Sequence, residues 1–177
     1  MKERLIDRFL PEYQFSNTHR MTIYASAEKV YNSILELDLG KSLLIRILFR
    51  LRGMPRSALS FKELENTGFS VLGEQPGSEL LLGIAGQFWK LKSNMQKVDS
   101  TNFISFHKPG NAKAVWNFYL SEAGGNGTVL STQTRIYCTD PTSTRRFRYY
   151  WFVIAPFSGW IRREMLRLIK AASENKT

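Results

Sequence analysis

The chain's 177 residues, 43% of them hydrophobic, suffice for one domain that buries about 70% of its unfolded surface, which excludes wholesale disorder. A single cysteine, Cys138, excludes an internal disulfide and points to a reducing compartment. The net charge of +10 is unevenly spread: Lys41 to Lys62 holds six basic residues and no acid, and Thr142 to the end holds eight basic residues and two acids. Such stretches attract phosphates, anionic head groups or acidic partners, or simply solvate a helix face.

In MKERLIDRFL charges interrupt the apolar residues, which argues against a secretory leader and for a cytoplasmic protein. Leu5, Ile6, Phe9 and Leu10 recur at helical spacing and predict a short amphipathic helix, part of a 1–17 extension packed on the body. Alternation over Thr18–Ala25 predicts a strand. Ser26 then offers an N-cap for a helix over Ala27–Leu37, with Val30, Ile34 and Leu37 on one side. A second helix is expected over Ser42–Arg52, stopped by Gly53 and Pro55. Strands follow over Phe69–Glu74, Glu79–Ala85, Lys90–Val98, Phe103–Phe106, Ala112–Ser121 and Thr128–Thr139, the last two joined as a hairpin through EAGGNG.

On that hairpin Ala114, Trp116, Phe118 and Leu120 share one face with Leu130, Thr132, Thr134, Ile136 and Cys138. Asn117, Gln133 and Arg135 recur mid-strand on the other, which carries large rings as well; alternation does not say which face is the core. If the second face lines a cavity, Arg135 meets an anionic or carbonyl group and Asn117 and Gln133 orient it; if it faces water, all three are surface residues. Asp140 as N-cap and Pro141 at the first helical position start a long last helix. Phe147, Tyr150/Trp151, Ile154, Phe157, Ile161, Met165 and Leu168/Ile169 then step by three and four, with a kink expected at Pro156. In Arg145–Met165 the rings are expected to turn inward and most arginines to face water. The apolar run Tyr149–Ile161 is too short for the roughly 20 residues of a membrane span.

Chemical motifs are sparse. Two histidines, His19 and His107, on different predicted strands do not make a zinc set, and no metal or cofactor is expected. A Cys138/His107 nucleophile pair is weighed against a buried, inert cysteine, and the latter is preferred. Arg145–Trp151 mixes basic and aromatic residues without a recognised strand motif, so nucleic acid is not an expected partner. SLLIRILFRLRG (42–53) sets leucines against arginines and is open to two readings, an interfacial helix or the cover of a cavity mouth.

The element order, with ASAEKVY after the first strand, the paired strands AKAVWNFYL and TVLSTQTRIY, and TDP before the last helix, resembles the helix-grip superfamily. This superfamily (SRPBCC) includes START-type lipid-transfer domains, plant pathogenesis-related allergens and polyketide cyclase/dehydrase-like proteins. WNF, LSTQTR, TDP, RRFRYYW and SGWIRREML together look like a bacterial branch of it. The resemblance implies an α+β helix-grip fold over 1–177: a curved antiparallel sheet of about six to seven strands wrapped around a long kinked C-terminal helix, with two short helices after the first strand. It also implies a mostly apolar cavity between sheet and helix. Pattern and analogy together nominate Phe88, Trp89, Phe106, Trp116, Phe118, Phe147 and Trp151 as its wall. The leading expectation is a module that binds a hydrophobic or amphipathic small molecule. The alternatives are a cyclase-, dehydratase- or hydrolase-type enzyme using Arg135 with Asn117 or Gln133, and a peripheral adaptor for anionic membranes or acidic partners. Oligomeric state is left open.

Overall fold

The computed structural model describes residues 3–42, 46, 68–90, 94–125 and 127–175. Among these, six strands form one open antiparallel sheet in the order β1-β6-β5-β3-β2, with β4 beside β3. The strands are β1 (Phe15–Ile23), β2 (Ser70–Gln75), β3 (Glu79–Gly86), β4 (Met95–Gln96), β5 (Ala112–Glu122) and β6 (Thr128–Cys138). The helices are α1 (Leu5–Phe9), α2 (Ala27–Leu35) and α3 (Pro141–Glu174), with a 3-10 turn at Leu39–Lys41. This is the helix-grip arrangement: α2 and α3 lie on one face of the sheet, and α3 runs unbroken through Pro156.

Local chemistry accounts for most boundaries. Ser26 caps α2 by accepting from the Lys29 amide, and Asp140 caps α3 by accepting from the Ser143 amide. The β5–β6 turn places Gly124 and Gly125 at φ 73° and 58°, where a side chain would be strained. Every residue of β3, ELLLGIAG, is buried, because this strand is covered on both faces.

The inner face carries Leu80, Ile84, Ala114, Phe118, Leu130 and Ile136 against α2 and α3. The outer face is also covered. Leu5, Ile6, Phe9 and Leu10 pack on Leu72, Leu81, Ala85 and Val115, with Phe103 beside them. A five-residue helix has no stability of its own, and α1 is held at both ends by the sheet. The buried Glu79 carboxyl accepts from the Leu5 and Ile6 amides at 2.6 and 3.4 Å, and from Asn117 Nδ2 at 2.7 Å. Arg135 Nη1 donates to the Ile6 and Leu10 carbonyls at 3.4 and 3.1 Å, while Nη2 meets Asp7 at 2.6 Å. Acid at the amino end and base at the carboxyl end match the helix dipole.

Several expectations change. β1 starts at Phe15, three residues early, and of the expected strand Lys90–Val98 only Met95–Gln96 is paired among described residues. Phe103–Phe106 is a turn and no strand. Asp99 Oδ1 accepts from the Thr101 and Asn102 amides while Asn102 Oδ1 accepts from the Asp99 amide, and these local bonds outcompete a ladder. The buried Lys113 ammonium then binds the Phe103 and Ile104 carbonyls. The expected helix Ser42–Arg52 lies outside the described residues, apart from its first residue and Arg46.

Candidate functional site

Alternation along β1, β5 and β6 turns Asn17, His19, Trp116, Thr132 and Thr134 toward α3. The register puts His19 opposite Thr132 and Thr134 between Asn17 and Trp116. α3 closes over them with Gly159 and Arg162. A Cβ on Gly159 would stand 3.5 Å from His19 Nε2 and 3.9 Å from Asn17 Nδ2, so the bare glycine sets the helix backbone close to the imidazole. Thr132 Oγ1 accepts from Trp116 Nε1 at 2.8 Å and from Arg162 Nη1 at 3.1 Å, and donates to the Asn117 carbonyl at 2.9 Å. The Arg162 guanidinium also sits 4.9 Å from the Trp116 ring centre.

The electrostatics of this cluster are one-sided. Arg162 is only 9% exposed and forms no ion pair among the described residues. Burial pushes its pKa down to about 9, so it is still a cation at neutral pH. His19 is held below its ordinary value by burial first, then by the positive charges of Arg162 and Arg163. Arg162 Nε, His19 Nε2 and Thr134 Oγ1 are buried atoms without a hydrogen-bond partner. A buried cation beside unpaired donors and a neutral imidazole is costly unless something anionic or strongly accepting meets it. A carboxylate or phosphate oxygen supplies that chemistry. Among the described residues no group of three His, Cys, Asp or Glu side chains is placed to hold a metal ion.

The residues nominated from sequence separate into three places. Trp116 belongs to the polar cluster. Phe88, Trp89, Phe147 and Trp151 form an aromatic group on the same inner face: Phe147 lies 5.7 Å from both Phe88 and Trp89, and 6.0 Å from Trp151. Phe147 and Phe118 are fully buried core, whereas Phe88, Trp89, Trp116 and Trp151 keep some exposed surface. Asn117, Gln133, Arg135 and Phe106 are on the outer face. The first three bind α1 and its surroundings, with Arg4 Nη2 donating to Gln133 Oε1, and Phe106 packs on the α1 cluster. All four lie on the face turned away from α3, so the reading of Arg135 as a carbonyl-polarising group beside that helix gives way to an anchoring role.

Cys138 and His107 do not meet. Cys138 points into the inner aromatic group, and burial drives its thiol up to about 12. His107 packs on Tyr137, the next residue along β6 and hence on the opposite face. The residues that sequence reasoning missed are His19 and Arg162. Arg162 stands three residues before Met165 and seven before Ile169, at the apolar spacing of α3, and that was its signal.

No protein-family model matches the chain. No curated protein matches it in sequence. Among solved structures it is similar to a conserved protein from Geobacillus kaustophilus, at 10% identity over 90% of this chain and 95% of that one, with a TM-score of 0.44. The Mll3558 protein from Rhizobium loti gives 12% identity over 89% and 96%, with a TM-score of 0.41. Norcoclaurine synthase from Thalictrum flavum, solved with dopamine and hydroxybenzaldehyde, gives 11% identity over 100% and 96%, with a TM-score of 0.37. Values this low carry no argument about activity, and the fold rests on the strand order and helix placement described above.

Proposed function

We propose that the chain binds an amphipathic small molecule between the sheet and α3, with an acidic group against Arg162 and His19 and an apolar body along the inner aromatic side chains. The observation that carries this reading is Arg162, a buried cation with an unpaired Nε and no acidic partner among the described residues. Support also comes from the residual exposure of Trp116, Phe69, Trp89 and Trp151 on the inner face, which offers ring surface to a bound molecule. The resemblance to the helix-grip superfamily points the same way.

Native mass spectrometry after gentle purification, followed by solvent extraction, tests the proposal. Wild-type protein is expected to carry an acidic amphiphile, and Arg162→Met to lose it while remaining folded. Equal loading of the two proteins, or a non-acidic molecule in both, overturns the assignment of Arg162.

A further inference from the structure

The outward side of α3 departs from the sequence expectation. Tyr149, Phe152, Val153, Phe157 and Trp160 are exposed, Phe152 at 85% and Tyr149 at 73%. Steps of three and four from Tyr149 through Val153 and Pro156 to Trp160 make one stripe, and Phe157 packs on Trp160 at 6.1 Å. At 1.5 Å per residue the stripe is about 16 Å long. Continued at the same spacing, it meets exposed arginines at both ends, Arg145 and Arg146 before it and Arg163 and Arg167 after it, with Arg148 at its flank. The nearest acid on the helix, Glu164, is partly buried and engaged by Ser42 and Arg167.

We infer that this face of α3 docks on an anionic lipid surface, rings in the head-group layer and arginines on phosphates. Charge decides between occupants. A second copy of the chain would set the arginine ends of two such stripes against each other, whether the helices ran parallel or antiparallel. A lipid surface offers negative charge at both ends of an apolar stripe lying flat upon it, and requires no complementary groove. Arginine stems cover apolar surface while their heads reach phosphate, and Trp, Tyr and Phe are the side chains that settle at that boundary. No described helix is long and apolar enough to cross a membrane, so the contact is with the surface.

Vesicle flotation decides the matter, using phosphatidylcholine alone and a two-to-one mixture of phosphatidylcholine and phosphatidylserine. The protein is expected to float with the mixed vesicles at low salt and to be released at high salt. The double variant Phe152→Ser/Trp160→Ser should bind about tenfold more weakly or worse. Arg145→Gln/Arg146→Gln/Arg163→Gln should lose the preference for anionic vesicles. All these positions are exposed, and circular dichroism is the check that the variants are folded. Absence of wild-type flotation at low salt, or unchanged flotation of Phe152→Ser/Trp160→Ser, overturns the inference. A dimer in sedimentation that the same double variant dissociates gives the face to a second copy and overturns it too. Arg162→Met should float like wild type, so this result stands apart from the fate of the bound amphiphile.

Discussion

Glu79, Arg135 and Arg162 are all buried charged residues, yet their surroundings assign them opposite tasks. Glu79 meets three donors and Arg135 two carbonyls and a carboxylate, so the charge of each is answered within the fold. Arg135 Nε lacks a hydrogen-bond partner just as Arg162 Nε does, but Arg135 has the acid, Asp7, that Arg162 lacks among the described residues. Glu79→Ala would strand the Leu5 and Ile6 amides and Asn117 Nδ2, at a cost of about 3 kcal/mol in urea denaturation. Arg162→Met should behave differently, leaving stability unchanged or raising it by about 1 kcal/mol or more, because an unpaired buried cation is replaced by apolar surface. A drop in melting temperature in that variant would mean that Arg162 is a structural residue. His19 adds a pH signature. Its folded pKa lies below 6.5, so the unfolded chain takes up the proton first. The stability it contributes is present above 6.5 and lost as pH falls from there through its folded pKa; His19→Gln should flatten that part of the stability profile. Alternation identified the Asn117, Gln133 and Arg135 set correctly as one face, but periodicity has no term for what covers a face, and the cover came from residues 5–10.

At the scale of elements, starts were more legible than interiors. Ser26 and Asp140 were readable as caps because an N-cap needs only one acceptor three residues before an amide. Asp140 also accepts from the Gly110 amide at 2.6 Å, tying α3 to the loop before β5. Bonds from Ser143 above all hold its pKa down at about 2. Its contribution is therefore complete above the unfolded value near 4 and disappears between there and about 2. Asp140→Ala should cost about 1 kcal/mol at neutral pH and remove that acid-sensitive component, as read by thermal melts across the range. The apolar residues of 99–106 look strand-like, while Asp99 and Asn102 set the backbone there through bonds only two or three residues long. The outward rings of α3 depart from the expected inward orientation for a related reason. A helix apolar on several sides does not reveal from spacing alone which side the sheet occupies.

Across the whole molecule, the order of elements gave the architecture because an antiparallel hairpin and a long capped helix leave few ways to bury both. What could not be read was that the sheet is covered on both faces. Removal of residues 3–10 should bare Leu72, Leu81 and Val115 on the outer face, raising binding of a hydrophobic dye and lowering solubility while leaving the inner site in place. The pairing of β1 with β6 has a further consequence, for a chain made from its amino end. Phe15 aligns with Ile136 and Ile23 with Thr128, and α1 waits on Arg135 as well as Glu79. These segments are thus made well before their partners, and until Thr128–Cys138 follows, their strand edge is open to other chains. Misassembly during synthesis should therefore begin at residues 5–23, which makes them the place where a chaperone has most to shield.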